Sequence, residues 1–186
     1  MSKKKIVLIA VSAILALLIL GGLLAHYVLS GRDKVSYDIN VWSDLERSFT
    51  YLPSVEEMGE FCDLESKYLH RDHFIFQSNA YILKATYSKE IFDRQKDIFL
   101  KSYSFQETVV DYGEEITEKD ASFTFDGFRF QMLSLKEYNL YYPKQIVFIG
   151  VSEKNNEIAF VFFDDIDLDY ISDSFEEFLV EECGWE

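Results

Sequence analysis

Hydrophobic positions fall in two regimes along this chain. Ile6 to Ala25 is an unbroken run of 20 uncharged residues, mostly Leu, Ile, Ala and Val. As a helix at 1.5 Å per residue it is about 30 Å long, the thickness of a hydrocarbon core, and it satisfies its own backbone in lipid. Lys3, Lys4 and Lys5 precede it, so the positive-inside bias places the N-terminus in the cytoplasm. A cleaved signal peptide needs a shorter apolar region of about 7–15 residues; the best cleavage point here is Val28-Leu29-Ser30 before Gly31. The pattern therefore predicts a cytoplasmic tail at 1–5, a transmembrane signal anchor at 6–28, a tether at 29–42 and an extracytoplasmic domain at 43–186.

Beyond residue 42 the periodicity changes to short segments. Ser54 with Glu57 forms a capping-box pattern and predicts a short helix over 54–61. The run SKYLHRDHFIFQSNAYILKATY predicts strands near 67–77 and 80–87, joined at Ser78-Asn79. Ser88 starts a helix over 89–103, with Ile91, Phe92, Ile98, Phe99 and Tyr103 on its inner side. Residues 111–121 are polar and read as a loop. Asp126-Gly127 between alternating aromatics is the strongest hairpin signal in the chain. Strands follow at 145–152 and 157–163 around Lys154-Asn155-Asn156. Ser174 then caps a final helix, with Glu177 at the box position and Gly184 as its stop.

The order α, ββ, α, ββ, ββ, α with hairpin connections predicts an α+β fold. It combines one transmembrane helix with a single two-layer domain. About six strands form a mostly antiparallel sheet, and about three helices cover one face. The other face would stay open to solvent and to a partner.

Charge narrows the function. Residues 31–186 hold 15 Lys and Arg against 33 Asp and Glu, a net −18. Such a surface repels phosphate backbones, which excludes nucleic acid as a partner. With 17 Phe and 12 Tyr but only 2 Pro, the domain has the composition of a packed core. Cys62 and Cys183 are the only cysteines; outside the cell they are candidates for a disulfide.

Candidate chemistry is sparse. Asp165, Asp167, Asp169, Asp173 and Glu176 match much of the ligand spacing of a calcium loop. However, Tyr170 stands where that loop needs Gly. The alternation of Ile166, Leu168 and Tyr170 with the aspartates equally describes an edge strand with charge outward. Calcium is thus the only candidate cofactor. His70 and His73 could share a zinc only on a helix or tight turn. Tyr138, Tyr141 and Tyr142 form a candidate aromatic platform for a peptide or glycan. No G-x-S-x-G elbow, P-loop or dinucleotide motif is present. The reading is a membrane-anchored, non-catalytic interaction module at the cell envelope, its partners the membrane through 6–28 and an envelope protein or peptide. A calcium-responsive domain is the alternative, and a hydrolase without a sequence signature comes third.

Overall fold

A computed structural model describes residues 14–15, 17–22, 33–49, 51–73, 76–112, 116–135, 145–165 and 174–185. Residues 14–15 and 17–22 are helical and exposed. Among the described residues no helix is long and apolar enough to cross a membrane; most of the 6–28 segment lies outside them.

The chain enters the domain through strand β1 (Lys34–Ser36) and helix α1 (Ile39–Ser48). Both fall earlier than the sequence reading placed any element of the domain, and half of its tether at 29–42 is regular structure. Asp38 is the reason the helix starts where it does: its Oδ1 accepts from the Asn40 backbone N–H at 3.0 Å, a side-chain N-cap. Trp42 and Leu45 then share the buried side, and the Trp42 indole donates to the Pro53 carbonyl at 3.0 Å. The Ser54–Glu57 box forms reciprocally, with bonds of 2.7 and 3.1 Å. It supports only a turn, not the helix expected over 54–61, because Gly59 at φ +74° turns the chain away.

Strands β2 (Asp63–His73) and β3 (Phe76–Thr86) pair along their whole length. The pairing therefore runs through Ser78-Asn79, which sit inside β3 opposite Arg71 and His70 and do not form the turn. Helix α2 (Lys89–Ser102) follows Ser88 as expected. It buries Phe92, Gln95 and Phe99, while Ile98 is exposed. The expected polar loop at 111–121 is instead mostly a two-stranded hairpin, β4 (Thr108–Tyr112) with β5 (Ile116–Asp120). Val109, Val110 and Ile116 give it the β-branched content that strands favour.

Strands β6 (Ser122–Phe125) and β7 (Phe128–Met132) meet at Asp126-Gly127, both at positive φ, the type I′ geometry such a two-residue turn requires. Strands β8 (Gln145–Ser152) and β9 (Glu157–Asp165) match the expected hairpin. Helix α3 (Phe175–Glu181) begins on the Ser174 hydroxyl, which accepts from Glu177 N at 3.1 Å. The turn after it closes through Trp185 N to the Leu179 carbonyl, with Gly184 at φ +69°.

The domain is α+β, with one seven-stranded antiparallel sheet ordered β1-β2-β3-β9-β8-β7-β6. Its helices do not gather on one face. Leu69, Ile82, Phe148, Val161 and Phe163 pack under α3, against Phe175, Phe178 and Leu179. Leu83, Val147, Ile149, Phe160 and Phe162 pack on the opposite side, under Trp42 and Leu45 of α1 and Phe92 and Phe99 of α2. The layers are three, not two, and the middle of the sheet has no open face. In β8 and β9 the runs Ile146–Gly150 and Ile158–Phe163 are buried at every position, as strands covered on both sides must be. Each fully buried Phe contributes about 1.5–3 kcal/mol.

Candidate functional site

One concavity stands out among the described residues, a cleft of about 320 Å³ at the β1–β2 edge. Its floor comes from β2 and β3, which present Glu65, Lys67, Ile82 and Lys84. The turn after α3 closes one side with Gly184 and Trp185, and Tyr37 stands at the margin. Strand alternation explains the assembly. Glu65, Lys67 and Leu69 share one face of β2, and the register sets Glu65 opposite Lys84 and Lys67 opposite Ile82.

The end of α3 holds this face by charge. Lys67 Nζ donates to the Gly184 carbonyl at 2.7 Å. Arg71 pairs with the Glu182 carboxylate at 2.6 Å and also donates to the Glu181 carbonyl. Cations at a helix C-terminus satisfy orphan carbonyls and favour the helix dipole. Trp185 stands edge-on to Phe128 and Phe130, 5.2 Å from each, and its indole donates to Asp126 at 3.1 Å. Within the cleft Lys84 Nζ lies 2.7 Å from Glu65; the lysine side chain is 24% exposed and the glutamate 61%.

The opposite face carries a polar row across four strands. His70, Asn79, Asp164 and Gln145 are direct neighbours on β2, β3, β9 and β8. Asn79 Oδ1 receives both the Tyr68 hydroxyl and His70 Nδ1 at 2.9 Å. An amide oxygen only accepts, so Nδ1 carries the proton. Tyr51 donates to Gln145 Oε1 at 2.6 Å, and the Gln145 amide bonds Asp164. Burial raises the Asp164 carboxyl above its usual range and Asp165 adds to this, against the Gln145 hydrogen bond. Burial, then Tyr68 and Asp164, holds the Tyr81 phenol well above its usual value.

The residues singled out from sequence are only partly among those described. Asp165 ends β9 opposite Ser78, and Glu176 lies in the first turn of α3. Asp167, Asp169, Asp173, Tyr138, Tyr141 and Tyr142 lie outside the described residues. No group of three or more His, Cys, Asp or Glu is placed to hold a metal among the described residues. His70 and His73 belong to one continuous strand, not a helix or tight turn.

Both cysteines are free: Cys62 is exposed and Cys183 is buried. The candidate disulfide is thus not formed. Lys67 Nζ reaches the Gly184 carbonyl, while Cys62 lies five residues before Lys67 in the chain, just ahead of β2, roughly 16 Å away at strand rise. A disulfide tolerates about 7 Å between Cα atoms. Burial also raises the Cys183 thiol well above its usual value.

Lys67, Lys84, Tyr37 and Trp185 were missed by sequence reasoning. The available signal was a lysine at an inward position on each of two adjacent strands, legible only with the right register. Comparison with protein-family models, with curated proteins and with solved structures gives no match to the chain.

Proposed function

We propose that this protein is a membrane-anchored binding module at the cell envelope, held by residues 6–28, with its acidic domain outside and the β1–β2 cleft as its recognition site. The observation that carries the reading is the cleft itself. It joins two lysines to Ile82 and Trp185 on a domain whose overall charge is strongly negative. An ion pair and a capped carbonyl hold its walls in place. The uncharged run at 6–25 behind three lysines supports the anchor and its orientation.

Cys62 provides the test, because it is the exposed thiol and Cys183 is buried. A membrane-impermeant maleimide added to intact cells should label the full chain once, and Cys62→Ser should abolish the signal. The protein should also remain with membranes after alkaline carbonate extraction. Labelling only after permeabilisation would refute the external placement, and release by carbonate would refute the anchor.

A further inference from the structure

We propose that the domain rests on the bilayer by its β1 edge, with Val35 and Tyr37 seated in the lipid headgroup layer. This rests on reading residues 6–28 as the membrane anchor, and it adds a second membrane contact made by the folded domain itself.

The length of chain between anchor and fold limits how the domain sits. With the span ending at Val28, only five residues, 29–33, precede Lys34 at the start of β1. Fully extended, the path from Val28 to Lys34 covers at most about 22 Å, and it must also cross a headgroup region of about 5–8 Å. Lys34 stands opposite His70 of the antiparallel β2. The Asp63 end of β2 is seven residues from His70, about 23 Å at strand rise. The chain is therefore too short for the domain to turn over and stand on that end. What remains near the lipid is the β1 edge or the His73 end of the sheet.

Surface chemistry selects the edge. Val35 is 49% exposed and Tyr37 68%. Val35 faces the same side as its cross-strand partner Leu69, which packs under α3, and Tyr37 borders the cleft with Lys67 on that side. Apolar side chains gain by leaving water, and tyrosine suits the headgroup level because one end is apolar and the other polar. Lys34 is exposed beside them; its stem can lie along the apolar surface while the ammonium stays among the headgroups. The His73 end instead carries Asp72, Gln77 and Asp165 among its described residues, polar side chains that do not gain from lipid.

The contact is apolar rather than electrostatic. Residues 31–186 carry a net −18, which an anionic leaflet repels, so the lipid surface that fits is zwitterionic. The other strands rise away from it. Six strand spacings separate β1 from β6, about 29 Å. The cleft, with Tyr37 at its margin, then opens beside the headgroups.

The test uses the full chain in phosphatidylcholine vesicles, with Cys62→Ser removing the exposed thiol while Cys183 stays buried. A nitrobenzoxadiazole probe is attached through Val35→Cys on β1, Gln77→Cys on β3 or Thr124→Cys on β6, all exposed positions. Its quenching by lipid carrying a nitroxide on the headgroup is then measured. Quenching should be at least threefold stronger at position 35 than at position 124, with position 77 below position 35. It should persist in about 1 M sodium chloride, where the screening length falls to about 3 Å. Tyr37→Ser should cut quenching at position 35 at least twofold and leave the melting midpoint unchanged, since Tyr37 is mostly exposed. Equal quenching at positions 35 and 124, stronger quenching at position 77 than at 35, loss of quenching in salt, or unaltered quenching in Tyr37→Ser would each overturn the proposal. A chain released from the vesicles by carbonate fails the anchor reading itself. A chain that stays with them while its position 35 probe is unquenched fails this proposal alone.

Discussion

Gln95 is a polar residue on the buried side of α2, and the structure gives it a measurable task. Its Nε2 donates to the Met58 carbonyl at 2.9 Å, and the Tyr87 hydroxyl donates to the same oxygen at 3.0 Å. Met58 is fully buried. The two donors share one acceptor, so either alone still satisfies it. Gln95→Met or Tyr87→Phe each removes one hydrogen bond, a net cost of about 1 kcal/mol. For a domain of this size that lowers the melting midpoint by about 2–4 °C. Removing both leaves a buried carbonyl with no partner, which adds a desolvation penalty of about 1–3 kcal/mol. The double variant should therefore lose about 3–5 kcal/mol, with a coupling of about 1–3 kcal/mol between the sites. Urea unfolding of all four proteins measures this, followed by the fluorescence of Trp42, whose indole bonds Pro53 beside the same loop. A double-mutant cycle that closes within about 0.5 kcal/mol would falsify the shared-acceptor account.

Two further predictions follow from the sheet. A Cβ on Gly150 would clash with the Phe130 ring at Cε1, so Gly150→Ala should cost about 1–3 kcal/mol by overpacking, with partial rescue by Phe130→Leu; a neutral Gly150→Ala in urea unfolding refutes the tight contact. Asp164 has a raised carboxyl pKa in the fold, so the folded state holds its proton more firmly and this contribution to stability is lost as pH rises from the ordinary carboxyl range through the raised value. Asp164→Asn keeps an acceptor for Gln145 but cannot ionise. Its stability relative to the parent should improve between pH 3 and pH 7 in parallel denaturation curves, and a constant difference would contradict the buried-carboxylate reading.

The parts legible in the sequence were those governed by local rules. Asp126-Gly127 dictates its turn through backbone conformation, and Ser174 and Gly184 mark the ends of α3 by capping. The β8–β9 hairpin also matched, because two apolar runs flank a polar turn. The β2–β3 turn was misplaced because Ser78 and Asn79 are turn-formers by local preference, whereas tertiary bonds hold Asn79 mid-strand through Tyr68 and His70. That shift also hid the cleft, since a turn at 78–79 would not set Lys84 opposite Glu65. The layer count failed for a related reason. Ile158–Phe163 is apolar at every position, which signals cover on both faces, but the coverings α1 and α2 lie far away in sequence. Asp38 with Trp42 and Leu45 already marked α1; the short distance from the apolar run drew that segment into the tether.

The position of β9 has a consequence for how the chain reaches this state. It lies between β8, its hairpin partner, and β3, from which it is separated by 71 to 87 residues of sequence along the paired register. Closing that loop costs entropy before its contacts form, so the centre of the sheet is expected to assemble late. Until then a β8–β9 hairpin presents uncovered Ile, Val and Phe on both sides, the composition that self-associates as strands. Newly made chains of this protein thus have a window in which β3 competes with other copies for the free edge of β9, and the yield of folded protein should fall with the rate of synthesis well before the finished domain shows any tendency to aggregate.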